Sequence, residues 1–165
     1  MIIDQPKLKK LGTFLVTELS KELLAQGHKA TGKLINSIES DAVISPDKAT
    51  LQISFEDYGI FVDSGRKKGA KKVPIQALIN WIIAKSLASG DREIKNMAFA
   101  IQTNIFKQGI PTRNSNQFSR TGSRTGFIDN TLERNEAFII AEIEQNAFTT
   151  VEAIIDKVVE QANSE

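Results

Sequence analysis

Leu8, Leu11, Leu15, Leu19 and Leu23 recur at the spacing of one helical face with polar residues between them. The chain therefore opens on an amphipathic helix. Asp4 and Pro6 suit its first turn, and Gly27 suits a left-handed cap at its end. Thr31 to Ile38 reads as a short helical turn with Leu34, Ile35 and Ile38 inward. The period then shortens to two. Ala42-Val43-Ile44-Ser45 is a candidate strand, and in Thr50 to Phe55 the residues Leu51, Ile53 and Phe55 alternate with Thr50, Gln52 and Ser54. Pro46-Asp47-Lys48-Ala49 between them is turn chemistry, so the pattern predicts a β-hairpin over residues 42 to 55. Two strands alone are marginal in water, which requires this hairpin to lie on helices or to pair with a neighbouring subunit.

Tyr58 to Val62 is short and apolar, and it leads at Gly65 into a loop with Arg66, Lys67, Lys68, Lys71 and Lys72. A buried segment thus feeds an exposed basic loop. Pro74 fits a helix start, and Ile75, Leu78, Ile79 and Ile82 follow on one face, with Trp81 among them. Ser89-Gly90-Asp91 breaks this helix and caps the next, whose stripe is Ile94, Met97, Ala98, Ile101 and Ile105 and whose stop is Gly109 with Pro111. Residues 111 to 126 are polar and basic, with Phe118 as the one large apolar residue, and read as a mobile loop or arm. Phe127, Ile128 and Leu132 return to the core. A long helix follows, with a stripe of Ile140, Ala147, Val151, Ile154, Val158 and Ala162 widened by Ile143, Phe148, Ile155 and Val159. At about 30 residues it would reach roughly 45 Å, longer than a small domain needs, so part of it is expected to pack on another subunit.

These elements predict an α+β fold, with amphipathic helices around a small antiparallel hairpin, a long C-terminal helix and extended basic loops. The expected organisation is one domain over residues 1 to 165, with residues 64 to 73 and 111 to 126 protruding. The hairpin is expected on the first helix and the Trp81 helix, and Tyr58, Val62, Trp81 and Ile101 are expected in the core. A chain of 165 residues, 41% hydrophobic and 25% charged, is long enough to bury such a core. It has no Cys, which rules out a disulfide framework or a thiolate metal site and makes a reducing compartment the default. No run approaches the roughly 20 apolar residues of a membrane helix, and no signal-peptide core is present, so a soluble protein used inside a cell is expected.

The net charge of +1 conceals a segregation: residues 1 to 63 balance at −2, residues 64 to 128 at +10 and residues 129 to 165 at −7. Nucleic acid against the basic part would explain it, as would copies meeting basic face on acidic face. Solvated surfaces are the plainer alternative. Catalytic chemistry is not legible. Gly65 and Gly69 are separated by three residues, not the four of a phosphate loop, and no hydroxyl follows the lysines. Glu56, Asp57 and Asp63 have no His, nucleophile or metal-ligand spacing beside them, and are expected to cap the Tyr58 helix or pair with the basic loop. The lone His28 is expected at the surface, at a helix C-terminus. No enzyme, cofactor, metal site or small-molecule substrate is expected.

The order Thr31-Gly32-Lys33-Leu34-Ile35-Asn36-Ser37-Ile38, a hairpin, Tyr58 with Val62, Asp63 and Gly65, a Gly/Lys loop, Pro74 leading to Trp81 and Lys85, then Gly109-Ile110-Pro111 before Phe127, resembles the neck and tail-completion proteins of tailed bacteriophages. The resemblance covers about residues 28 to 132. Arg66 stands where family members often have Thr, and the Arg/Ser/Thr arm is inserted where they usually pass from Pro to Phe within a few residues. What the resemblance implies is a small α+β virion subunit that forms a ring at the head-to-tail junction, meets other neck, connector or tail-tube proteins, and closes or lines the DNA channel without catalysis. Heterologous ring contacts would use the complementary charges, and lysines could touch packaged DNA non-specifically. The alternative is a nucleic-acid-binding module whose loop and arm grip the phosphate backbone; a small toxin-like or regulatory enzyme is a third reading without a constellation to carry it. The two basic segments are expected to be ordered by neighbours: in a ring or a stacked neck, acidic faces of adjacent copies or partner proteins would supply the contacts, with Arg113, Arg120 and Arg124 as donors and Phe118 as an apolar anchor.

Overall fold

Helix α1 (Gln5–Ala25) buries Leu8, Leu11, Leu15, Leu19 and Leu23 along the stripe read from the sequence. Its end is set by Gly27, at φ 77°. The amide of Gly27 bonds to the carbonyl of Leu24 at 3.1 Å and that of His28 to Leu23 at 2.9 Å, the paired closure of a Schellman cap. The computed structural model describes residues 5–45, 48–113 and 115–162. The expected start at Asp4, the Pro46-Asp47 turn and the side chains of Ile154, Val158, Val159 and Ala162 lie outside the described residues.

After α1 come α2 (Lys33–Asn36), strands β1 (Glu39–Ile44) and β2 (Ala49–Ser54), α3 (Gly59–Ser64), α4 (Ile75–Ala84), α5 (Asp91–Gln108), a 3-10 turn (Ser115–Phe118) and α6 (Phe127–Ala162). The fold is α+β, with a long C-terminal helix. The strands pair antiparallel, Glu39 opposite Ser54 and Ile44 opposite Ala49. β1 thus begins three residues before the expected Ala42. Glu39, Ser40 and Asp41 carry no apolar signal; the backbone ladder continues through them because the register does. Gly12 lets α1 approach β1 closely, since a Cβ there would stand 2.7 Å from Ser40 Oγ.

Two apolar clusters form. In one, Leu19, Leu23, Leu34, Ile38 and Phe127 are buried, and Val62, Ile53 and Phe55 pack against them. Fully burying a Leu or Phe is worth roughly 1.5–3 kcal/mol each. In the other, Leu78, Ile82 and Ala98 are buried between α4 and α5, with Ile75, Ile79, Ile94, Met97, Ile101 and Ile105 around them. The hairpin therefore rests on α1, whereas α4, the Trp81 helix, packs on α5 and not on the strands as expected. A helical stripe finds the nearest complementary stripe, and α5 follows α4 after a short connection.

This pairing moves two expected core residues outward. Trp81 precedes the buried Ile82 by one residue, about 100° around the helix, and is 38% exposed. Tyr58 precedes α3 and is 41% exposed, while the neighbouring Gly59 fills the core position. Val62 and Ile101 do pack on the two clusters. Leu132, also expected inside, is exposed: Thr131, one turn after Phe127, takes the buried position.

Candidate functional site

The two basic segments, separate in sequence, are stitched together by backbone. Arg66 N–H donates to Ile110 O at 2.9 Å, and Ile110 N–H to Arg66 O at 2.8 Å, an isolated antiparallel bridge. The crossing needs glycine on both sides. Gly65 (φ 71°) and Gly109 (φ 84°) are left-handed, and a Cβ on either would run into the facing carbonyl, of Ile110 or Arg66 respectively. Gly69 N–H donates to Phe106 O at 2.7 Å, and Lys72 Nζ lies 5.7 Å from the centre of the Phe106 ring. Arg66, half-buried, donates to the carbonyl of Lys71 and staples its own loop. The expectation that neighbours alone order this loop is corrected by these contacts: backbone groups, which a reading of apolar side chains overlooks, hold it to the end of α5.

The result is a basic cleft of about 520 Å³ lined by Lys68, Lys107, Gln108, Pro111, Thr112, Arg113 and Asn116. Arg113 is exposed, with its amide donating to Gln108 Oε1 at 3.1 Å. Lys67, Lys71 and Lys72 are exposed nearby on the loop. Lys107 was not singled out from sequence. Its signal is its place in the last turn of α5, where a cation complements the negative end of the helix.

The rest of the arm folds back on the cap of α1. Arg120 N–H donates to Ala25 O at 2.8 Å, Gln26 Nε2 to Thr125 O at 3.2 Å, and Gly126 N–H to Asp63 O at 2.8 Å. The arm is expected to lack a hold within its own chain; instead it satisfies the Ala25 carbonyl left over at the end of α1. Phe118 is 69% exposed and Arg120 is exposed as well, so the arm carries an apolar and a cationic residue at its surface. Arg124 is different. It is half-buried, away from the cleft, in a hollow with His28, Tyr58 and Trp81.

His28 is likewise not the surface residue expected. Its Nε2–H donates to Arg124 O at 2.9 Å, which fixes the tautomer. Burial first, then the charges of Arg124 and Lys85, hold its pKa below the ordinary value. Burial also lowers the Arg124 pKa and, with the nearby Glu56 charge, raises that of Tyr58. Glu56 and Asp63 have structural partners, though not those expected. Glu56 pairs with Lys33 at 3.1 Å, and Asp63 Oδ1 accepts from the Ile128 amide at 2.9 Å, capping α6.

A second unforeseen group is Glu22, fully buried within the leucine face of α1. Gln26 Nε2 donates to its Oε1 at 2.9 Å, Asn130 Nδ2 reaches the same oxygen at 3.5 Å, and Arg134 Nη2 stands 2.9 Å from Oε2. Burial pushes the Glu22 pKa up, but the hydrogen bonds from Gln26 and Arg134 outweigh it and the net shift is down. Glu22 and Gln26 continue the heptad phase of Leu8, Leu11, Leu15 and Leu19, which is the signal that marks them as inward. Among the described residues no cluster of three or more His, Cys, Asp or Glu could hold a metal ion, and no helix is long and apolar enough to cross a membrane. In comparison with known proteins, the chain matches no family model, no curated protein and no solved structure.

Proposed function

We propose that the protein is a virion structural subunit of a tailed bacteriophage, a neck or tail-completion protein that forms a ring at the head-to-tail junction, joins the connector to the tail and lines or closes the DNA channel. Its role is assembly, without catalysis or cofactor. The class comes from the resemblance of residues 28 to 132. The observation that carries the reading is the pairing of unlike surfaces on one chain: a basic cleft built from two segments, and an acidic α6 with Leu132, Ile140, Ile143, Phe148, Val151 and Ile155 exposed. Such surfaces complement each other between copies, as a heterologous ring contact demands. Mass photometry and negative-stain imaging of the purified protein test this. Closed rings, or rings formed on addition of connector or tube, are the expected result; a chain that stays monomeric alone and is missing from particles overturns it.

A second reading, a nucleic-acid-binding module, draws on the cleft itself, where Lys68, Lys107 and Arg113 converge. It requires monomeric protein to bind random duplex with an affinity that falls steeply as salt rises and drops when Lys67, Lys68, Lys71 and Lys72 become Ala. On the ring reading those substitutions alter assembly, with little effect on free DNA binding.

A further inference from the structure

The hollow between the cap of α1, α2, α3 and α4 has a composition that neither basic segment explains. Gly27, His28, Leu34, Tyr58, Trp81 and Arg124 line it, and its volume is about 190 Å³. That is below the roughly 300–1,000 Å³ of sites for drug-sized ligands and cofactors, so it suits one inserted side chain. Two aromatic side chains form apolar wall, and of the two cations that line it, Lys33 is already paired with Glu56 at 3.1 Å while Arg124 is paired with no carboxylate among the described residues. The Arg124 guanidinium is half-buried, yet among the described residues no carboxylate or carbonyl accepts from it. A half-buried guanidinium without a protein acceptor is open to an anion from another molecule, because its planar fork matches a carboxylate. His28 donates its Nε2–H elsewhere and cannot fill that need. The nearby Glu56 is held by Lys33 at 3.1 Å.

The complementary chemistry is on the same chain. The outer face of α6 sets Leu132, Ile139 and Ile140 around Glu133 and Glu136, and farther along Glu144 and Glu152 stand among exposed Ile143, Phe148 and Val151. The geometry points to this hollow as the receptor for a glutamate of α6 from a second copy, its carboxylate on Arg124 and its apolar neighbours against Trp81 and Tyr58. The assignment rests on the ring reading and names the contact within it. Residues 64 to 128, which include Trp81 and Arg124, balance at +10 and residues 129 to 165 at −7, so approach in this orientation is steered and self-pairing of two α6 helices is opposed.

Trp81 is the only tryptophan, so its emission reports this hollow directly. The protein is followed by sedimentation velocity and Trp81 fluorescence over a concentration series, for wild type, Arg124→Gln, Arg124→Lys, and Glu133→Gln, Glu136→Gln, Glu144→Gln and Glu152→Gln singly and combined with Arg124→Gln. Association is expected to shift Trp81 emission to shorter wavelength. Arg124→Gln should weaken it by about tenfold or more and Arg124→Lys by less, and one of the glutamate variants should add nothing to Arg124→Gln, the mark of a shared contact. Far-UV circular dichroism checks that each variant is folded. If the wild type associates while Arg124→Gln leaves both signals unchanged, or if all four glutamates act additively with it, the receptor assignment is overturned and the ring reading stands. If the wild type never associates, alone or with particle partners, the ring reading itself fails. A shift of Trp81 in dilute monomer on adding micromolar N-acetylglutamate would overturn the second copy as occupant in favour of a free carboxylate.

Discussion

Helix α6 has two faces, and the less apolar one is the one the fold uses. On its buried side it carries Phe127, Thr131 and Asn146, and it meets α1 through Phe127, the Arg134 to Glu22 ion pair and the Phe138 ring 4.4 Å from that of Phe14. Away from α1 it carries Leu132, Ile140, Ile143, Val151 and Ile155 exposed, with Phe148 70% exposed. Phe127 thus returns the chain to the core as expected, whereas the stripe of Ile140, Ala147 and Val151, widened by Ile143, Phe148 and Ile155, is outward in every member whose side chain is described. Two causes combine. α1 spans 21 residues and α6 spans 36, about 32 Å against 54 Å, so α1 cannot cover the whole of α6. And the buried Glu22 needs donors, which the Asn130 and Arg134 side supplies and the aliphatic side does not. A helix seats where its partner's buried polar groups are satisfied, and a more hydrophobic face left over is a surface for another molecule.

The sharpest break of this contrast is Phe127→Ala. Phe127 is fully buried and packs edge-on to Phe55 with ring centres 5.9 Å apart, so truncation should cost about 3–5 kcal/mol in urea unfolding. A loss near that expected for a surface change would show that α6 is not seated by this end. Next is Arg134→Ala, which strands the buried Glu22 carboxylate. The Arg134 side chain is 54% exposed, and water screens part of the pair, so about 1–3 kcal/mol is expected. Glu22→Gln should cost less, because Gln26 and Asn130 can still reach an amide oxygen.

Acid provides a milder probe of the seated face and the α1 cap. His28 and Glu22 both have pKa values held below their ordinary 6.5 and 4.5. Each therefore binds its proton more readily in the unfolded chain. The stability each contributes is present above the ordinary value and is lost as pH falls through the lowered one. Thermal stability should thus decline below about pH 6.5 and again below about pH 4.5, and His28→Gln should flatten the first decline alone. A first decline unchanged in His28→Gln would assign it to another group. The smallest effect on the isolated chain is expected from Ile143→Ser or Phe148→Ala, within about 0.5 kcal/mol, with reduced self-association or particle incorporation as the altered property. A loss of several kcal/mol in the monomer would mean the outer face is core after all.

Much of this was legible in the chain. The leucine stripe of α1, its Gly27 cap, the hairpin, the α4 and α5 stripes and the basic character of residues 66 to 72 all depend on periodicity and turn chemistry, which act over a few neighbouring residues. The partners of those elements were not legible. That α4 pairs with α5 and leaves Trp81 and Tyr58 at a hollow, that Arg66 and Ile110 join two basic segments so that Lys68, Lys107 and Arg113 share one cleft, and that Arg124 lies apart from them, are outcomes of contacts between residues far apart in sequence. Periodicity names which residues lie on one face of a helix. Which face is buried depends on the shape, length and unsatisfied polar groups of whatever lies opposite, and for α6 a single buried carboxylate on α1 weighs against an aliphatic stripe that periodicity alone would have turned inward.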